Sequence, residues 1–149
     1  MSAPTSDDSE TGEATRADVE LRLPADGVYA SVLRTTAAAL AARLDFTIDD
    51  IEDLRIAVAE AGALVLPAAD PGADLTARFR LGNGTMTIEV STDAIDNPEP
   101  DLENFAWQVL DTLASDAAIE SDHGVFRVRF TMSSQLAAGT ADLPTGPEL

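Results

Sequence analysis

Ile51-Glu52-Asp53-Leu54-Arg55-Ile56-Ala57-Val58-Ala59-Glu60-Ala61-Gly62-Ala63-Leu64-Val65-Leu66 places Ile51, Leu54, Val58, Ala61 and Val65 at spacings of three, four, three and four. That period predicts a helix with one apolar stripe laid on a core. Thr47 is the expected N-cap, and Asp49, Asp50, Glu52 and Asp53 put negative charge at the positive end of the helix dipole. Pro67 ends the helix.

On the N-terminal side, Asp18 to Leu23 alternate Val19, Leu21 and Leu23 with Glu20 and Arg22, the period of a half-buried strand closed by Pro24. A helix is expected from Asp26 or Gly27 to about Leu44. Val28, Val32, Thr35 or Thr36, Ala39 and Arg43 mark its turns, with Leu33, Leu40 and Leu44 adding apolar weight. On the C-terminal side, Ala68 to Asp74 is a loop by its turn chemistry. Leu75 to Leu81 and Thr85 to Ser91 then alternate as two strands around Gly82-Asn83-Gly84, a hairpin turn whose Asn-Gly pair tolerates positive φ.

Asp93 to Glu103 is an acidic loop with two prolines, and a helix is expected from Pro100 or Asp101 to about Ala114, with Leu102, Phe105, Val109 and Leu113 on its apolar side. A short strand, Ala117 to Glu120, a tight turn, Ser121 to Gly124, and a strand from Val125 to Met132 follow. The expected fold class is an α+β two-layer sandwich, with a mixed, mostly antiparallel sheet and helices on one face. Residues 18–132 form one domain, flanked by disordered tails at 1–17 and 133–149.

The chain has 149 residues, enough for one core without staples. Its 27 acids face nine bases, all arginine, for a formal charge of −18. Such a field repels a phosphate backbone, so direct nucleic-acid binding is not expected, and the absence of lysine excludes a lysine-dependent phosphate loop. A basic protein partner fits that charge, although acidity also serves solubility. No cysteine is present, which removes disulfides, thiolate metal sites and cysteine nucleophiles together. No run approaches 18 apolar residues and the N-terminus is acidic, so neither membrane span nor signal peptide is expected; the expected location is cytoplasmic.

The helix at 51–66 resembles the IEDLKIAVSEACTNAV type found in bacterial anti-sigma factors that double as serine-protein kinases, the RsbW and SpoIIAB type. That family is built on the histidine-kinase-like ATPase (GHKL, or Bergerat) fold shared with gyrase B and MutL. The resemblance covers roughly residues 18–132 and is most specific over 45–66. It implies a sigma factor and an anti-anti-sigma protein as partners, a homodimer, and a role in stress-responsive transcription.

Three features of the family can be checked residue by residue. Its helix supplies a general-base glutamate, matched by Glu60, and four residues later a magnesium-ligating asparagine, where Leu64 stands instead. After its third strand comes Asp-x-Gly, which reads adenine; Asp93 is near that position, but Ala94-Ile95 follow. Its glycine-rich phosphate turn falls on Glu103-Asn104-Phe105-Ala106-Trp107, which contains no glycine. With these losses no metal and no cofactor are expected, and Glu60 reads as a helix glutamate on a groove wall, Asp93 as a strand-end turn residue. The alternative is a divergent serine-protein kinase that binds Mg-ATP through Asp93, Asp96 or Asn97 and phosphorylates an anti-anti-sigma protein. A dimerising scaffold for another regulatory system is a third reading.

Arg34 aligns with a family arginine used in partner recognition and is the expected partner-binding residue, on an exposed surface. Arg22, Arg78, Arg80, Arg127 and Arg129 share the polar parity of their strands, either to pair with Glu20 and Glu89 or to meet another chain. His123, the sole histidine, reads as a solvated turn residue.

Overall fold

The structure, a computed structural model, describes residues 16–136. The segments 1–15 and 137–149, most of the two expected tails, lie outside the described residues. Strand β1 (Val19–Pro24) is followed by a short 3-10 turn (Gly27–Tyr29), helix α1 (Ala30–Arg43) and helix α2 (Ile48–Val65). Strands β2 (Asp74–Leu81) and β3 (Thr85–Asp93), helix α3 (Phe105–Leu113), and strands β4 (Asp116–Asp122) and β5 (Val125–Ser133) complete it.

The five strands form one sheet in the order β1-β2-β3-β5-β4. Every pairing is antiparallel, so the expected mixed sheet is corrected. Tight hairpins, which can only reverse the chain, account for β2–β3 and β4–β5, while β1–β2 and β3–β5 pair antiparallel across longer helical connections. Alternation decides the faces. Leu75, Ala77 and Phe79 of β2, Met86, Ile88 and Val90 of β3, and Phe126, Val128, Phe130 and Met132 of β5 are all buried against the helices.

Helix α2 is the central element, packed between α1 and α3 over the sheet. The stripe read from its sequence is the inward face: Leu54, Val58, Ala61 and Val65 are fully buried and Ile51 is half-buried. Its start is fixed by a capping box, in which the Thr47 side chain accepts the Asp50 N–H (3.1 Å) and the Asp50 carboxylate accepts the Thr47 N–H (2.9 Å).

Two helices differ from the expectation. The inward face of α1 is Leu33, Ala37 and Ala41, whereas Val28 and Val32 are exposed. The buried alanines let α1 approach α2 closely, and the larger valines would hold it away. Helix α3 begins at Phe105, after the Pro98 and Pro100 loop, because Asn104 caps it by accepting the Ala106 N–H at 2.8 Å. Ala106 and Leu110 face inward, while Leu102 and Phe105 are exposed.

In the first hairpin the positive φ falls on Gly84 (70°), with Asn83 outside that region. In the second, His123 (54°) and Gly124 (75°) both adopt it, which is the turn role expected of His123. The ordered chain also continues past Met132. Ser133 closes β5, and Ser134 is buried at 2% exposure.

Candidate functional site

Glu60 and Leu64 lie one turn apart on α2, and Leu64, not Glu60, lines the cleft beside α3. Leu64 is buried and forms a wall of a cleft of about 210 Å³ with Ala63, Pro67, Pro98, Asn104, Ile119 and Phe126. Its isobutyl group offers a magnesium ion no oxygen. Asn104, at the mouth of α3, spends its side-chain oxygen on its own helix. Glu60 is half-buried, and no hydrogen bond or ion pair to it is found among the described residues. Among the described residues, no group of three or more His, Cys, Asp or Glu could hold a metal ion.

Asp93 is not in that cleft. Thr92 turns inward, 4% exposed, and its hydroxyl donates to the Asp74 carbonyl (2.8 Å). Asp93, one residue on, is exposed and lines a polar cleft with Arg22, Asp74 and Ser91 on the outer face of the sheet. Strand parity thus sends Asp93 and Leu64 to opposite faces. Of the substitute ligands, Asn97 is engaged structurally: its side-chain oxygen accepts the Gly124 N–H at 2.7 Å, fastening the loop to the second hairpin. Asp96 is exposed.

Arg34 departs from the expected exposed position. It is half-buried and lines a second cavity, of about 210 Å³, between α1 and α2, with Leu33, Val58 and Leu75 among its apolar walls. Sequence reasoning did not find this cavity. The signal available was Gly62, a glycine inside a helix, which often marks a packing or functional feature.

Two of the outer arginines, Arg78 and Arg127, pair across strands. Arg127 is the hub, meeting Glu120 at 3.0 Å, Asp122 at 3.2 Å and Glu89 at 3.7 Å. Burial would lower its pKa, but the hydrogen bonds and charges of Glu120 and Asp122 raise it on balance. Arg22 and Arg78 meet Glu20 at 4.0 and 3.8 Å. Arg78, Arg80 and Arg129 surround Thr87 and Glu89 in a shallow polar hollow. His123 has a side chain 89% exposed, near Asp122 only.

The architecture is an α+β two-layer sandwich, a five-stranded antiparallel sheet with its helices on one face. The crystal structure of the RsbU and RsbW domains of Rv1364c from Mycobacterium tuberculosis matches with a TM-score of 0.56 and 19% identity, covering 78% of this chain and 32% of that one. In sequence, the chain is similar to serine-protein kinases RsbW. The protein from Halalkalibacterium halodurans is 40% identical over 74 residues, covering 49% of this chain and 46% of that protein. The one from Bacillus cereus is 34% identical over 80 residues (52% and 49%), and the one from Bacillus subtilis 31% over 78 residues (50% and 49%). The chain thus spans about half the length of the curated relatives it matches. No protein-family model matches it. No helix among the described residues is long and apolar enough to cross a membrane.

Proposed function

We propose that this chain is a cytoplasmic anti-sigma factor of the partner-switching type. It holds an alternative, stress-response sigma factor away from RNA polymerase core, and an anti-anti-sigma protein frees the sigma by competing for the same surface. Mutually exclusive binding suffices for that mechanism, with the two affinities setting the populations. Arg34 belongs to the contact surface, and the working unit is a homodimer. The sequence similarity to RsbW kinases supports the general role.

The switch works without effective ATP binding. Leu64 carries this part of the reading: a buried hydrocarbon occupies the position from which the family's magnesium ligand projects. The closed N-terminus of α3 and the outward Asp93 agree with it. These residues do not fit a magnesium-bound nucleotide, so no catalytic step is assigned to Glu60.

Affinity capture from lysate of the source cell, with and without Mg-ATP, tests both parts when captured proteins are identified by mass spectrometry. One sigma factor recovered equally in both conditions is the expected result. Recovery that requires Mg-ATP would restore the kinase reading, and the absence of any sigma factor would refute the anti-sigma role.

A further inference from the structure

The cavity between α1 and α2 has the build of a small-molecule site. Leu33, Val58, Leu66 and Leu75 supply aliphatic walls, and Ala59 and Gly62 leave room along α2. Gly62 is itself buried, yet a Cβ placed on it would meet nothing within 4 Å outside its own helix. The space is therefore real at the side-chain level. At about 210 Å³ it exceeds the apolar cavity of about 150 Å³ that stays dry and takes up benzene in another protein.

Two charged side chains line this apolar space. Asp26, at the exposed rim, caps the 3-10 turn through one oxygen by accepting the Val28 N–H at 3.1 Å and keeps its negative charge, so an anion is favoured only beside Arg34. Arg34 is half-buried, with no ion pair or hydrogen bond among the described residues. A guanidinium in such a place favours a planar anion that can accept two parallel hydrogen bonds.

We propose that this cavity binds a medium-chain carboxylic acid, its hydrocarbon tail among Leu33, Val58 and Leu75 and its carboxylate on Arg34. The net charge of −18 opposes any anion at long range. The tail therefore supplies the attraction, and Arg34 selects the head group. The site stands on the cavity and the arginine; because Arg34 is also placed on the proposed partner surface, a bound carboxylate and the partner would compete for it. It is distinct from Leu64's cleft, with which it shares only Ala63 among the lining residues.

Decanoate is the probe, titrated into the full chain while the methyl signals of Leu33, Val58 and Leu75 are followed by NMR, with decanol and decyltrimethylammonium as head-group controls. Saturable shifts at these methyls are expected, weakened about tenfold by Arg34→Gln, as loss of a charged hydrogen-bonding partner predicts. Gly62→Leu, which fills the space, should abolish them. If that variant does not fold, the Arg34→Gln comparison decides alone. Unsaturable shifts, shifts centred elsewhere, or equal affinity for decyltrimethylammonium would overturn the proposal.

Discussion

Asp50 and Ser134, 84 positions apart, share a hydrogen bond of 3.4 Å from the serine hydroxyl to the carboxylate. The same Asp50 oxygen accepts the N–H groups of Thr47 (2.9 Å) and Gln135 (3.0 Å). Ser134 in turn donates its own N–H to the Gly84 carbonyl at 2.7 Å, and its hydroxyl accepts the Leu136 N–H at 3.1 Å. One carboxylate thus ties the start of α2 to the chain leaving β5.

Asp50→Ala removes the capping box and strands the part-buried N–H groups of Thr47 and Gln135. A loss of about 2 kcal/mol is expected from the cap and unsatisfied-donor terms together. Urea unfolding at neutral pH measures it. A change below about 0.5 kcal/mol, the usual size for an unremarkable surface substitution, would mean that the network contributes little.

The same residue predicts an acid response. Burial pushes the Asp50 carboxyl upward, but hydrogen bonds from Thr47, Gln135 and Ser134 outweigh it and hold the pKa below the ordinary value. As pH falls, the unfolded chain takes up this proton first, so Asp50's contribution is full above about pH 4 and is lost as pH falls through the folded value. The stability difference between wild type and Asp50→Asn should therefore shrink as the pH is lowered from 5. A constant difference across an acid titration of unfolding free energy would contradict this.

Gly62→Ala should stabilise the chain by about 0.5–1 kcal/mol, because glycine is costly inside a helix and the added methyl meets no neighbour. Denaturant midpoints compare the two directly. Destabilisation would show that α1 lies too close to α2 to admit a methyl group at Gly62.

Arg127→Met and Arg22→Met separate a networked arginine from an isolated one. The first loses three acidic partners at a side chain 25% exposed and should cost about 1 kcal/mol, less in high salt. The second loses one 4.0 Å contact at 66% exposure and should leave thermal stability nearly unchanged.

Leu64→Asn restores the family's ligand type at one position only. It should cost about 2 kcal/mol by replacing buried hydrocarbon with an amide, and it should still give no measurable Mg-ATP heat in calorimetric titration. Tight binding after this single change would mean that Leu64 alone separates the chain from a working nucleotide site.

The strands and α2 were legible because their periods repeat over several turns or pleats, and because one face of each is plainly apolar. Helix α1 misled the reading because alanine is a weak hydrophobic signal. Ala37 and Ala41 are its innermost residues, while the more apolar Val28 and Val32 face outward. Helix α3 starts later than expected because Pro100 and Asp101 carry ordinary helix-start chemistry, whereas Asn104 is the residue that caps it. Thr47 was legible as the N-cap, but the return bond from Asp50 and its link to Ser134 and Gln135 were not, since no local pattern announces a contact between the two ends of a domain. Arg34's half-buried position depends likewise on how closely two helices pack.

The charge arrangement across the sheet also has a kinetic meaning. Arg22, Arg78, Arg80, Arg127 and Arg129 occupy the helix-free side, where neighbouring carboxylates offset them. Asp45, Asp49, Glu52, Asp53, Glu99 and Asp101 outnumber Arg34, Arg43 and Arg55 and leave the opposite side negative. The molecule is thus an electric dipole as well as an anion. A cationic visitor exerts a torque that turns the helical side toward it before contact, so ionic strength should slow its arrival more than it hastens its departure.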